Sequence, residues 1–231
     1  MIVSERFPRS SKYELAWQVE GQMGPNVLWL TESVCEAMQL REGMRVLDLG
    51  CGKALSSVFL AEEFGVQVWA TDLWIAASEN AERIRKFGVE DRVFPIHADA
   101  RSLPFAEEFF DAIVSVDAFE YFGTDDLFLP SLVRYVKRGG RIGIANAGLV
   151  REVDTLPAEW PAEFAAFHTA AWWRRHWSIS RCVEVEVAAD ISDGRELWAE
   201  WDRTCGWTDN AYLTGPAGNN LALHVVVGRR V

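Results

Sequence analysis

Three observations predict an α/β fold built on a doubly wound, mostly parallel sheet. Apolar strands and helices alternate five times with short turns, a glycine-rich turn follows the first strand, and an aspartate closes each of the first four strands. Strand–helix alternation returns the chain to the same edge of the sheet each time, so neighbours run parallel with helices on both faces. The continuous apolar runs of strands one, four and five suit burial on both sides.

The segment before about Met44 reads as helical pieces. Asn26 is placed to cap a helix carrying Leu28, Leu30, Val34, Cys35 and Met38 at helical spacing, with Gly43 closing it. Residues 44–50, MRVLDLG, form the first strand, and SSVFLAEEFG is a helix with Gly65 at its C-terminal cap. A second strand covers 66–72, a helix 76–87, a third strand 92–99 and a fourth 110–117. A helix from about 124 or 129 to 138 ends at Gly139-Gly140, and a fifth strand covers 141–146.

After Gly148 the character changes. Residues 157–178 are helical and rich in tryptophan, and RCVEVEVAAD alternates Val183, Val185 and Val187 with Glu184 and Glu186, as a half-exposed edge strand does. Ser192 or Asp193 caps a helix running to about Cys205, with Glu196 placed for a capping box. The loop TDNAYLTGPAGNN leads to the apolar run LALHVVVGR, which suits an interior strand. The expected organisation is one domain over 1–231: a helical cap (1–43), a cofactor-binding core (44–147), and an acceptor-side insert with a C-terminal hairpin (148–231).

A formal net charge of -11 argues against nucleic acid and anionic membranes as partners. The four cysteines are scattered without a C-x-x-C pair, which argues against a disulfide framework or a zinc site and points to reduced thiols in a cytoplasmic protein. The start, MIVSERFPRS, has no signal-peptide h-region, and no apolar run reaches the ~20 residues of a membrane span.

The turn VLDLGCGKAL decides the ligand class. A phosphate loop needs Ser or Thr after its lysine, whereas Lys53 is followed by Ala54. A dinucleotide fingerprint needs a third glycine where Leu55 stands. Asp48, two residues ahead of Gly50, disfavours a phosphate at the helix start and favours a cationic, phosphate-free cofactor such as S-adenosylmethionine. Asp72 stands where a ribose-binding acid belongs, Asp99 ends strand three, and Asp117 ends strand four. Each could instead cap the helix that follows it.

Taken together, VLDLGCGKAL, WATDLW, HADARSLPF, FDAIVSVDAF and VKRGGRIGIAN resemble the class I S-adenosylmethionine-dependent methyltransferases over about residues 44–147. The resemblance implies a Rossmann-like seven-stranded sheet with its last strand antiparallel. It also implies that Asp48, Gly50, Cys51 and Gly52 hold the methionine part, Asp72 and Leu73 the ribose, and Asp99 and Ala100 the adenine. Asp117 and Ala118 line the methyl side. Ala54 replaces the further glycine of the family's G-x-G-x-G loop, and Glu120-Tyr121 stands where many small-molecule members carry a histidine.

The reading is thus a methyl transfer to a small-molecule N, O or C acceptor, without metal, by a monomer or homodimer. Glu120 is the candidate base, facing the methyl, or else a partner of the next helix. Tyr121 orients the acceptor or packs. An NAD-dependent oxidoreductase and a non-catalytic adenosyl-binding module are the alternatives. The acceptor pocket is expected from the cap around residues 22–31, the AFEYF loop and the insert. There, Trp172, Trp173, Trp177, His168 and His176 form either an aromatic pocket or, for Trp173 and Trp177 four residues apart, a core stripe.

Overall fold

Asn26 does begin a helix. Its side-chain Oδ1 accepts from the amides of Leu28 (3.0 Å) and Trp29 (3.1 Å), two of the donors a helix start leaves open. In this computed structural model, which describes residues 3–207 and 210–231, helices α1 (Val3–Arg6), α2 (Leu15–Gly21) and α3 (Val27–Met38) form the cap segment. Met1 and Ile2 of the starting segment, and Thr208 and Asp209 of the loop before the last strand, lie outside the described residues. The third helix stops four residues before Gly43, at Gln39, which adopts the left-handed conformation (φ 53°).

The core then alternates as expected: β1 (Arg45–Leu49), α4 (Leu55–Phe64), β2 (Gln67–Asp72), α5 (Ala77–Lys86), β3 (Val93–His97) and β4 (Phe110–Val116). Gly65 caps α4 at φ 64°. With β5 (Val136–Leu149), β6 (Val183–Asp190) and β7 (Leu221–Arg230), the sheet has seven strands in the order β3-β2-β1-β4-β5-β7-β6. Strands β1 to β5 are parallel, and β7 runs antiparallel between β5 and the edge strand β6. The expected edge-then-interior order of the last two strands is therefore found.

Three local expectations fail. The helix before Gly139-Gly140 is only α6 (Phe128–Leu132) and one 3-10 turn; β5 starts at Val136 and runs to Leu149. Val136 pairs with Phe110, and the register slips before Arg141 pairs with Ala112. Gly140 permits that slip, because a Cβ there would stand 2.5 Å from the Asp111 carbonyl oxygen. Strand β6 also slips, between Val185 and Val187. Val183 and Val185 pack on one face of the sheet and Val187 on the other, so the simple alternation ends at Glu186. Glu186 instead binds Arg141 (2.7 Å) and Arg229 (3.2 Å). Finally, α8 (Gly194–Thr204) has no capping box: Asp193 sits at φ 52° without a side-chain cap, and Glu196 takes Arg195 (2.9 Å).

Helices α3, α4 and α8 pack on one face of the sheet, and α6 and α7 (Ala170–Ser180) on the other. Trp173 and Trp177 are wholly buried on α7 against Phe119, at 5.8 and 5.7 Å between ring centres. They are the core stripe of the two readings. His168, Trp172 and His176 stack as a column along α7, at 3.8 and 4.5 Å. The short α9 (Ala211–Thr214) and a 3-10 turn complete the path to β7.

Candidate active site

A cavity of about 250 Å³ opens at the carboxyl ends of β1, β2, β3 and β4, where ligands bind in such sheets. Its walls include Gly50, Cys51, Gly52, Asp72, Leu73, Asp99, Ala100, Asp117, Ala118 and Tyr121. Every residue expected at the site is there except Asp48 and Glu120. The cap covers it with Gly21, Met23, Gly24, Pro25 and Val27. Sequence reasoning had placed the cap nearby without naming Met23 or Gly24. It also passed over Trp74 and Phe122 in the wall; Gly24-Pro25-Asn26, a turn followed by a helix cap, was the available signal for the lid.

The glycine turn is held by its own backbone. The amides of Gly50 and Cys51 both donate to the Thr71 carbonyl oxygen (2.8 and 3.1 Å). The Gly52 amide donates to Asp72 Oδ2 (2.8 Å), and the Ala54 amide to the Cys51 carbonyl oxygen (2.9 Å). Four of the five amides from Gly50 to Ala54 are thus committed inside the protein, leaving no nest of N–H groups for a phosphate. Gly50 must be glycine twice over: its φ is +74°, and a Cβ would lie 2.5 Å from that of Ala118.

Asp48 does not reach the cavity. Fully buried, its Oδ2 accepts from Ser56 (2.6 Å) and Ser57 (2.5 Å) in the first turn of α4. Burial pushes its carboxyl up to about 6, against the pull of the two serines. The expectation that Asp48 touches the methionine part is therefore corrected: its side chain anchors the helix behind the turn. Asp72, by contrast, holds the turn and faces the cavity. Besides Gly52, it takes the amides of Trp74 (2.7 Å) and Ile75 (2.9 Å) on Oδ1. Asp99 caps Arg101 (2.8 Å) and keeps a partly exposed carboxylate in the wall.

The β4 end is different. Asp117 adopts a left-handed backbone (φ 51°), rare for a residue with a side chain and associated with constrained sites. That geometry brings Oδ2 under the lid, where a Cβ on Gly24 would stand 2.1 Å away. Burial pushes the Asp117 carboxyl up to about 6, opposed by the Ala147 amide and by the neighbouring Glu120. Glu120 lies behind this wall in a 3-10 turn (Phe119–Tyr121), wholly buried, with neither oxygen in a hydrogen bond among the described residues. Burial first, and the Asp117 charge second, raise its carboxyl well above the ordinary range. The expectation that Glu120 itself faces the methyl is thus corrected. Tyr121 does line the cavity, and burial together with Asp117 and Glu120 raises its phenol, so it stays protonated.

Comparison with known proteins agrees with this geometry. The family profile described as "Methyltransferase domain" matches residues 46–140. Methyltransferase GfsG of Streptomyces halstedii is 30% identical over 142 residues, 61% of this chain and 51% of that protein. The 27-O-demethylrifamycin SV methyltransferase of Amycolatopsis mediterranei is 28% identical over 131 residues, 56% of this chain and 48% of the relative. This chain spans about half the length of these curated relatives. Among solved structures, phosphoethanolamine N-methyltransferase 2 of Haemonchus contortus with S-adenosyl-L-methionine aligns at a TM-score of 0.76 and 18% identity. That alignment covers 94% of this chain and 56% of the other. The [4+2]-cyclase SpnF aligns at 0.73 and 19% identity, over 99% and 94%. Both likenesses are of fold.

Proposed function

We infer that this chain, a member of the class I S-adenosylmethionine-dependent methyltransferases by its sequence series and its 46–140 match, methylates a small-molecule N, O or C acceptor. One observation carries the choice of donor: the amides of the glycine turn are already bonded, while carboxylates face the cavity from β2, β3 and β4. Such a wall suits a positively charged donor without phosphates and disfavours NAD.

When bound, S-adenosylmethionine supplies a methyl group already activated on a sulfonium. The residues of this chain then have seven tasks in the proposal. Gly50, Cys51 and Gly52 let the methionine part lie against the backbone, and Asp72 with Leu73 takes the ribose. Asp99 and Ala100 take the adenine. The lid from Gly21 to Val27 excludes water, and alignment in a dry cavity provides much of the acceleration. Asp117 accepts the proton that the acceptor releases as its lone pair forms the new bond to carbon. An acid poised near 6 suits that role at neutral pH. Glu120 acts through Asp117 as a positioning residue: once protonated it is a donor beside that carboxylate, and it keeps the pair at one shared charge. Tyr121 orients the acceptor at the mouth.

The chemistry named for one sequence relative, methylation of a rifamycin, supports a small-molecule acceptor. Among the described residues no helix is long and apolar enough to cross a membrane, and a cytoplasmic monomer or homodimer remains part of the proposal. The test is transfer of labelled methyl from S-adenosylmethionine to a panel of amines, phenols, alcohols and activated carbon acids. Label in a small acceptor is expected. Donor binding with label appearing only in added protein or RNA would overturn the acceptor class, and binding with no transfer would favour a silent module.

A further inference from the structure

Beside the donor cavity lies a second hollow of about 150 Å³, between α2, the start of α4 and the end of α5. It shares only Gly21, Lys53 and Leu55 with the donor cavity. Three cations face it, Lys53, Arg83 and Lys86, against one carboxylate, Glu20. In a chain with a net charge of -11, that is a local reversal of sign.

Few of these charges are spent within the protein. The Lys53 ammonium donates to the Glu20 backbone carbonyl oxygen (3.0 Å), a neutral acceptor. Arg83 gives one nitrogen to Asn80 Oδ1 (3.0 Å) and meets Glu79 only at 3.5 Å, in an exposed i,i+4 pair of small value. Lys86 is exposed and has no ion pair among the described residues. The end of α5 would favour cations for its dipole alone. Arg85 meets that need too but lies outside the hollow, so the dipole does not explain why two side chains converge with Lys53 from a different element. The remaining wall is aromatic: Trp17 and Phe87 pack at 4.4 Å between ring centres and present apolar surface beside the charges.

We propose that this hollow binds a small polyanion, a phosphorylated or polycarboxylate metabolite, with its charged group among Lys53, Arg83 and Lys86 and its carrier on the Trp17–Phe87 pair. At ~30 Å³ per water, the space equals about five waters and admits a diphosphate-sized group. Binding there links the cofactor loop, through Lys53, to the last turn of α2, where Gly21 already packs against Leu55 without room for a Cβ. An anion in the hollow therefore tightens the lid on the donor cavity and raises donor affinity, and linkage requires the donor to raise the anion's affinity equally.

The test is calorimetric titration of the full chain with inorganic pyrophosphate and, separately, with citrate, each with and without saturating S-adenosylhomocysteine. Binding of at least one is expected, strengthened when S-adenosylhomocysteine is present. It should weaken more than tenfold in the Arg83→Gln/Lys86→Gln double variant and in Lys86→Glu alone, which changes only an exposed side chain. The two anions tell phosphate from carboxylate chemistry. No heat from either, equal affinity in the variants, or loss of binding when S-adenosylhomocysteine is present would overturn the proposal. The last result would assign the hollow to the donor's own carboxylate. Failure of S-adenosylhomocysteine to bind at all would count against the donor reading and leave the anion arms decisive by themselves.

Discussion

Asp72 and Asp117 end neighbouring regions of one sheet edge and face the same cavity, yet they are built oppositely. Asp72 is saturated: three backbone amides fix its carboxylate. Asp117 is starved: burial lifts its carboxyl to about 6, a left-handed backbone holds it, and the buried acid behind it has no fixed partner. Saturation suits a group whose task is geometry, because bonded oxygens hold their direction. Starvation suits a group whose task is a proton, because its charge state is near balance at working pH. In the proposed reading, the rigid Asp72 end of the cavity holds the donor and the poised Asp117 end faces the methyl group.

The largest expected effect tests the poised end. Asp117→Asn removes the proposed proton acceptor while keeping its size, and should lower turnover by roughly 10²–10⁴-fold with S-adenosylhomocysteine affinity within a fewfold of wild type. An unchanged rate would mean that the acceptor arrives already deprotonated. Next comes the rigid end. Asp72→Ala frees three amides and loosens the turn, so calorimetry should show donor affinity lower by about a hundredfold, ~2.7 kcal/mol. A change confined to turnover would exchange the roles of the two acids.

Acidity sharpens the contrast further. Turnover should rise with pH through about 6 and then level, as Asp117 loses its proton. Glu120 in its protonated form stabilises the Asp117 carboxylate. Glu120→Ala should therefore move this limb to higher pH, whereas Glu120→Gln, which keeps a donor, should leave it near 6. Equal limbs in both variants would separate the two residues. The effect most remote from turnover falls on stability. Asp48 titrates near 6 when folded and near 3.9 when unfolded, so the folded state binds the extra proton between these values. Stability from this group is therefore greatest below about pH 4 and falls by up to about 3 kcal/mol as pH rises through 6. Denaturant titrations of Asp48→Asn should show that part of the slope removed.

Much of this was legible in the sequence, because patterns and end positions survive folding. The strand–helix alternation, the Asn26 cap, the edge position of β6 and the acids of the cavity wall followed from apolar runs, cap residues, glycines and strand ends, and the family resemblance supplied Cys51, Leu73, Ala100 and Ala118 beside them. What was not legible turns on single-residue direction. Asp48 and Leu49 are adjacent, and the pleat sends only the second to the cavity wall. Glu120 and Tyr121 are adjacent too, and one tight turn buries the first while leaving the second 42% exposed. The slips at Phe110/Ala112 and Val185/Val187 likewise depend on pairing across strands, which local periodicity does not encode.

The bonded glycine turn makes the strongest claim, since it assigns the cavity to a donor with no phosphate. Calorimetric titration with S-adenosylmethionine and with NAD under identical conditions addresses it directly. Saturable heat from S-adenosylmethionine and none from NAD is the expected result; saturable heat from NAD with silence from S-adenosylmethionine would contradict it.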